Sequence, residues 1–201
     1  MQGTADSEFQ RLQRIERAIR EILEAVGEDV TRPGLRQTPQ RAARMYLEIF
    51  SGLHADPVQE LTITHEEGAG DLVAVTDIPL HSLCEHHLLP FTGRVHIAYL
   101  PAEGRLTGLS KLARLVEGYA RRPQVQERLT HQIADAIEAR LRPRGVAVLV
   151  EAEHLCMIMR GARAEGSRAV TMAVRGLYSQ DPAERAAVTA LLRRRRPAAM
   201  A

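Results

Sequence analysis

The stretch GRVHIAYL at residues 93–100 puts Val95, Ile97 and Tyr99 at alternate positions, with Arg94, His96 and Ala98 between them. Strict alternation marks a strand with one face in a core. The chain then changes period. Over about 110–121, Leu112, Leu115, Val116 and Tyr119 share a helical stripe; over about 124–141, Val125, Leu129, Ile133, Ile137 and Leu141 do the same, with Pro123 interrupting. Strand-like runs return as GVAVLVEAE (145–153) and RAVTMAVR (168–175), and an earlier one, LVAVTDI (72–78), precedes the first. The order is β-β-α-α-β-β. Strand pairs on either side of a helix pair form antiparallel hairpins, so the fold class is α+β, a four-stranded antiparallel sheet with two helices on one face. Such a sheet has two open edges, which closed oligomerisation can cover.

Upstream, Phe9, Leu12, Ile15, Ile19, Ile22, Leu23 and Val26 recur at helical spacing, and Gly27 suits the stop. Thr38-Pro39 reads as an N-cap with proline at the first helical position, opening a helix that turns Ala42, Met45, Tyr46, Ile49 and Phe50 inward. Residues 54–71 are polar and aperiodic and read as a loop. Downstream, Asp181-Pro182 with Glu184 looks like a capped helix start. The expected organisation is a helical segment over 1–70, a sheet domain over 71–180, and a C-terminal helix with a basic tail over 181–201.

Hydrophobic residues make up 45% and charged residues 26% of the 201, a balance that excludes a disordered chain. No stretch approaches the roughly 18 apolar residues of a membrane span. The opening MQGTADSEFQ has no apolar signal region, so a soluble cytoplasmic protein is expected, with no membrane partner. Net charge is only +2, aromatic residues are 3% and Trp is absent. That leaves no base-stacking platform, and nucleic acid is not an expected partner. Lys111 is the only lysine.

Chemistry concentrates in Cys84-Glu85-His86-His87, between two expected strands, and in Glu153-His154-Leu155-Cys156 at the end of another. Cys84 and His87 have the C-x-x-H spacing of metal ligands, and Cys156 is the second of only two cysteines. Two thiolates and an imidazole favour zinc with a fourth position open. His86 or His154 could instead fill that position and make the site structural. A Cys84–Cys156 disulfide is a further reading, one that a reducing cytosol disfavours. Ser110 and Lys111 open a helix with Arg114 one turn on, and Arg160 follows Cys156; cations at a helix start suit phosphates. Glu127, at the next helix start, could accept two N–H bonds from a guanine-like edge.

Three segments, LCEHHLLPF (83–91), GLSKLARLVEGYARRPQVQERLT (108–130) and EHLCMIMRG (153–161), strongly resemble GTP cyclohydrolase I. The likeness runs from about Thr38 to Gly176 and is absent from the first thirty residues and the arginine tail. The resemblance implies a tunnelling fold, with sheets of five subunits joined edge to edge in a barrel and two rings stacked into a homodecamer with active sites at subunit interfaces. It implies that Cys84, His87 and Cys156 bind Zn2+, whose water, at a pKa of about 7, attacks C8 of guanine. By the same likeness His154 protonates N7 and relays protons, His86 assists opening of the ribose, and Ser110 acts in the later sugar rearrangement. Glu127 grips the guanine with Gln126 and Val125 nearby, and Lys111, Arg114 and Arg160 hold the triphosphate, joined by Arg41 and Arg44. The implied reaction turns GTP and water into formate and 7,8-dihydroneopterin triphosphate.

Other readings stay open at this level. A zinc nucleoside deaminase would need H-x-E and P-C-x-x-C, which the chain lacks. A same-fold enzyme acting on another purine or a deazapurine, or a non-catalytic zinc-stabilised oligomeric scaffold, would share the fold without the GTP chemistry.

Overall fold

In a computed structural model, residues 7–65 and 70–193 are described. The chain divides into two compact units, 1–51 and 52–201. The first contains α1 (Glu8–Ala25) and α2 (Thr38–Ile49), which pack on each other. Helix α1 starts at a reciprocal capping box, Ser7 with Gln10, and gives way to Gly27 at φ 90°. Thr38 is already inside α2 and its hydroxyl donates to Gly34 O at 3.4 Å, so it serves the preceding turn and is not the cap. The inward face of α2 is also shifted. Ala43 is buried and Met45 is 46% exposed, since a small residue at the contact lets two helix backbones approach.

The second unit follows the order β1 (Thr64–His65), β2 (Val73–Cys84), β3 (Pro90–Leu100), β4 (Arg105–Leu106), α3 (Leu109–Ala120), β5 (Pro123–Gln124), α4 (Gln126–Leu141), β6 (Gly145–His154), α5 (Leu155–Ile158), β7 (Ala169–Gly176), α6 (Leu177–Gln180) and α7 (Pro182–Leu192). Its main sheet runs β5-β2-β3-β6-β7, with β2, β3, β6 and β7 antiparallel as expected. The added strand β5 is two residues long and parallel to the end of β2.

Alternation divides the strands between two layers. Val95, Ile97 and Tyr99 of β3 and Val146, Val148 and Val150 of β6 join Leu112, Leu115, Leu129, Ile133, Ile137 and Leu141 in the main core under α3 and α4. Each fully buried aliphatic of that kind contributes about 1.5–3 kcal/mol. Ala98, Ala147 and Leu149 point the other way and are covered by Tyr178 of α6 and by Val188 and Leu192 of α7. The C-terminal helix therefore packs on the sheet, and helices lie on both faces. A strand apolar on both sides needs two covers.

Of the expected loop over 54–71, residues 56–65 are ordered. A 3-10 turn, Pro57–Glu60, is capped by Asp56, and β1 pairs with β4. Leu61 is fully buried in the main core, and Thr107 Oγ1 donates to Thr62 O at 2.8 Å. The unit boundary accordingly falls after Ser51 and not near residue 70. Residues 66–69 and the arginine tail beyond Arg193 lie outside the described residues. Among the described residues, no helix is long and apolar enough to cross a membrane.

Candidate active site

Strand order brings the two cysteine segments together. Phe91 of β3 is paired with Ser82 of β2 on one side and with His154 of β6 on the other, so the ends of β2 and β6 flank the start of β3. Beyond Cys84 the chain makes a tight turn. Leu88 N donates to Cys84 O at 2.8 Å, Cys84 N donates to Leu89 O at 2.9 Å, and Leu88 takes φ 53°. Beyond His154 the chain enters α5, which carries Cys156. The donor atoms of Cys84, His87 and Cys156 lie within 4.8 Å of one another. Ligand bonds of about 2.0–2.3 Å put the donors of one tetrahedral ion within about 4 Å of each other, so this group can hold a metal. Cys84 is buried, Cys156 half-buried and His87 exposed, which leaves one side open. Burial pushes the Cys156 thiol up, and the adjacent Cys84 sulfur adds to the effect.

Flanking groups brace this turn. Glu85 N donates to Gln124 O at 3.0 Å, and the Glu85 carboxylate pairs with Arg128 of α4, whose guanidinium holds it below the usual carboxylate range. Arg128 Nε donates in turn to the buried Gln124 Oε1 at 3.0 Å. His86 Nδ1 lies 3.8 Å from Cys84 Sγ, and Arg160 Nη1 donates to His87 Nε2 at 3.0 Å.

His154 sits beside the metal group. Its ring stacks on Phe91, centroids 4.7 Å apart and planes 5° from parallel, and its Nε2 is 2.8 Å from Gln126 Oε1. Burial lowers its pKa, opposed by the negative charge of Glu127. Glu127 is exposed in the first turn of α4, Val125 is the N-cap position before it, and Gln126 is buried.

A second group gathers at the start of α3. Lys111 Nζ and Arg114 Nη1 lie 3.7 and 3.6 Å from the same Glu60 oxygen, next to the exposed Ser110. Of the expected site residues, Cys84, His86, His87, His154, Cys156 and Arg160 converge with Gln126 and Glu127, while Ser110, Lys111 and Arg114 form the group around Glu60. Arg41 and Arg44 belong to the N-terminal unit, where Arg41 Nη2 donates to Thr38 Oγ1 at 3.2 Å. Phe91 and Glu60 were not singled out from the sequence. Phe91 stood in the quoted LLPF segment, but only pairing across two strands makes it a platform for a histidine.

A family model described as GTP cyclohydrolase I matches residues 15–193. A GTP cyclohydrolase 1 of Desulforamulus reducens is 59% identical over 181 residues, covering 90% of this chain and 97% of that protein. Those of Carboxydothermus hydrogenoformans and Pelotomaculum thermopropionicum are 56% and 57% identical, covering 92% and 90% of this chain and 96% of each relative. A match of this length over a fold with a Cys-His-Cys group at its expected place shows that the chain belongs to the GTP cyclohydrolase I family.

Proposed function

We propose that this protein converts GTP and water to formate and 7,8-dihydroneopterin triphosphate, with zinc held by Cys84, His87 and Cys156. The convergence of those three side chains beside a half-buried histidine is the observation that carries the reading. Two thiolates and an imidazole are a donor set that suits zinc over harder cations. Zinc bound there supplies an acidified water for opening the imidazole ring of guanine.

The chain's own residues take the remaining roles. His154, held flat against Phe91, protonates the purine at N7 and passes protons on as the ring opens. Burial lowers its pKa against the pull of the Glu127 charge, an environment that sets this ring apart from a solvent-exposed histidine. Glu127, exposed at the start of α4, accepts two N–H bonds from the guanine edge, with Val125 beside it. Lys111, Arg114 and Arg160 neutralise the triphosphate. His86 assists opening of the ribose, and Ser110 serves the later sugar rearrangement. The outer edge of β7 has no strand partner among the described residues, which supports assembly into a closed homo-oligomer, a decamer by family likeness. The expected location is the cytoplasm.

Incubation of the purified protein with GTP tests the reading. Formate and a pterin, fluorescent after oxidation, should appear together, vanish on chelation and return with zinc. Zinc bound at one ion per chain without either product would overturn it in favour of another purine substrate or a scaffold.

A further inference from the structure

We propose that Gln126 is a positioning residue that fixes the tautomer and ring orientation of His154. Gln126 is 2% exposed, so its carboxamide must find its partners inside the protein. Its Nε2 faces three acceptors: Val150 O at 3.2 Å, Ala169 O at 3.1 Å and Thr171 Oγ1 at 3.1 Å. Two of these are carbonyls, which can only accept. Turning the amide over would press Oε1 against both, so the orientation with nitrogen on the strand side is the satisfied one. A second tie holds the arrangement, because Thr130 Oγ1 donates to Gln126 O at 2.7 Å and lies 2.6 Å from Thr171 Oγ1.

The consequence falls on His154. Gln126 Oε1 is 2.8 Å from His154 Nε2, and an amide oxygen can only accept. Nε2 therefore carries a hydrogen, and in the neutral ring Nδ1 alone keeps a lone pair. The same bond survives when the ring is cationic, so Gln126 need not reorganise as His154 gains and loses a proton. Phe91 sets the plane of the ring by stacking, and Gln126 sets its rotation within that plane. With both amide hydrogens directed at β6 and β7, the side chain has no donor left for a guanine. Family likeness sets Gln126 beside the substrate, and its carboxamide reaches the chemistry through His154 instead.

The test is magic-angle-spinning NMR of full-length, zinc-loaded protein labelled with 15N-histidine, at a pH where His154 is neutral, with its signals assigned from a His154→Asn spectrum. The wild-type ring should show Nε2 protonated and Nδ1 bare. Gln126→Met, which keeps the length and loses the acceptor, should shift the ring to the Nδ1–H form or a mixture. In turnover assays, which rest on the proposed GTP reaction, the same variant should lower kcat about 10- to 100-fold, the scale of losing a partner that orients a reacting histidine, with KM for GTP within about twofold. An Nδ1–H ring in the wild type overturns the proposal even if the variant does not fold, and so does an unchanged tautomer in Gln126→Met. A raised KM with unaltered kcat would instead make Gln126 a guanine contact and also overturn it. Absence of formate from the wild type would remove the GTP reading and leave the tautomer measurement to decide this one.

Discussion

His154 is held from three sides: by the Phe91 ring, by Gln126, and by the end of β6 from which it projects. Replacing it with Ala should leave the metal group intact and lower turnover by about 100-fold or more, the contribution of a positioned proton donor. Metal content measured beside formate release checks this, and loss of the ion would make His154 a ligand. Around Glu60 the balance is electrostatic. Lys111→Ala should weaken GTP binding about 10-fold, as for loss of one charged hydrogen bond of about 1.5 kcal/mol. Glu60→Gln should act in the opposite direction. It removes a carboxylate within 4 Å of both cations, and GTP affinity should rise about 2- to 5-fold, the range of exposed ion pairs. Isothermal titration with both variants reads the two signs, and an unchanged affinity in either would take the triphosphate away from this group.

Strand β3 is the element on which the site is built, since it pairs with both cysteine-bearing segments. Its glycine is placed where the sheet leaves no room. A Cβ on Gly93 would lie 1.9 Å from Glu151 O and 2.6 Å from Ala152 Cα of β6. Gly93→Ala should cost about 1–3 kcal/mol, read as a lower denaturant midpoint, because backbone cannot move aside as a flexible side chain can. A stability equal to wild type would mean that β3 and β6 are further apart than described. The alternation of Val95, Ile97 and Tyr99 and the stripes of α3 and α4 were legible because periodicity is a local property of the chain. The short strands β1, β4 and β5 were not legible. Two residues carry no period, and their pairings come from contacts distant in sequence, such as Thr64 with Leu106.

Across the second unit, the sheet is closed on one side by α3 and α4 and on the other by α6 and α7. The C-terminal helix is thus part of the fold. Leu192→Ala, which empties a fully buried position against Ala147 and Leu149, should cost about 2 kcal/mol, at the low end for Leu→Ala because a helix near a terminus can settle. The thermal midpoint measures it, and no change would mean that α7 contributes nothing to the folded state.

The α+β class, the β-β-α-α-β-β order and the cysteine–histidine segments could all be read from the chain alone. They rest on residue spacing, and spacing precedes folding. Two motifs in the right order were enough to suggest one metal group, but not what would surround it. The placement of Phe91 on His154, of Glu85 on Arg128 and of Glu60 between two cations depends on strand register and helix packing. Each joins residues 43 to 63 positions apart. So does the role of Gln126. In the sequence it is a polar residue beside an acidic one at a helix start, and only burial, which removes water as a partner, makes its amide oxygen commit to one histidine nitrogen.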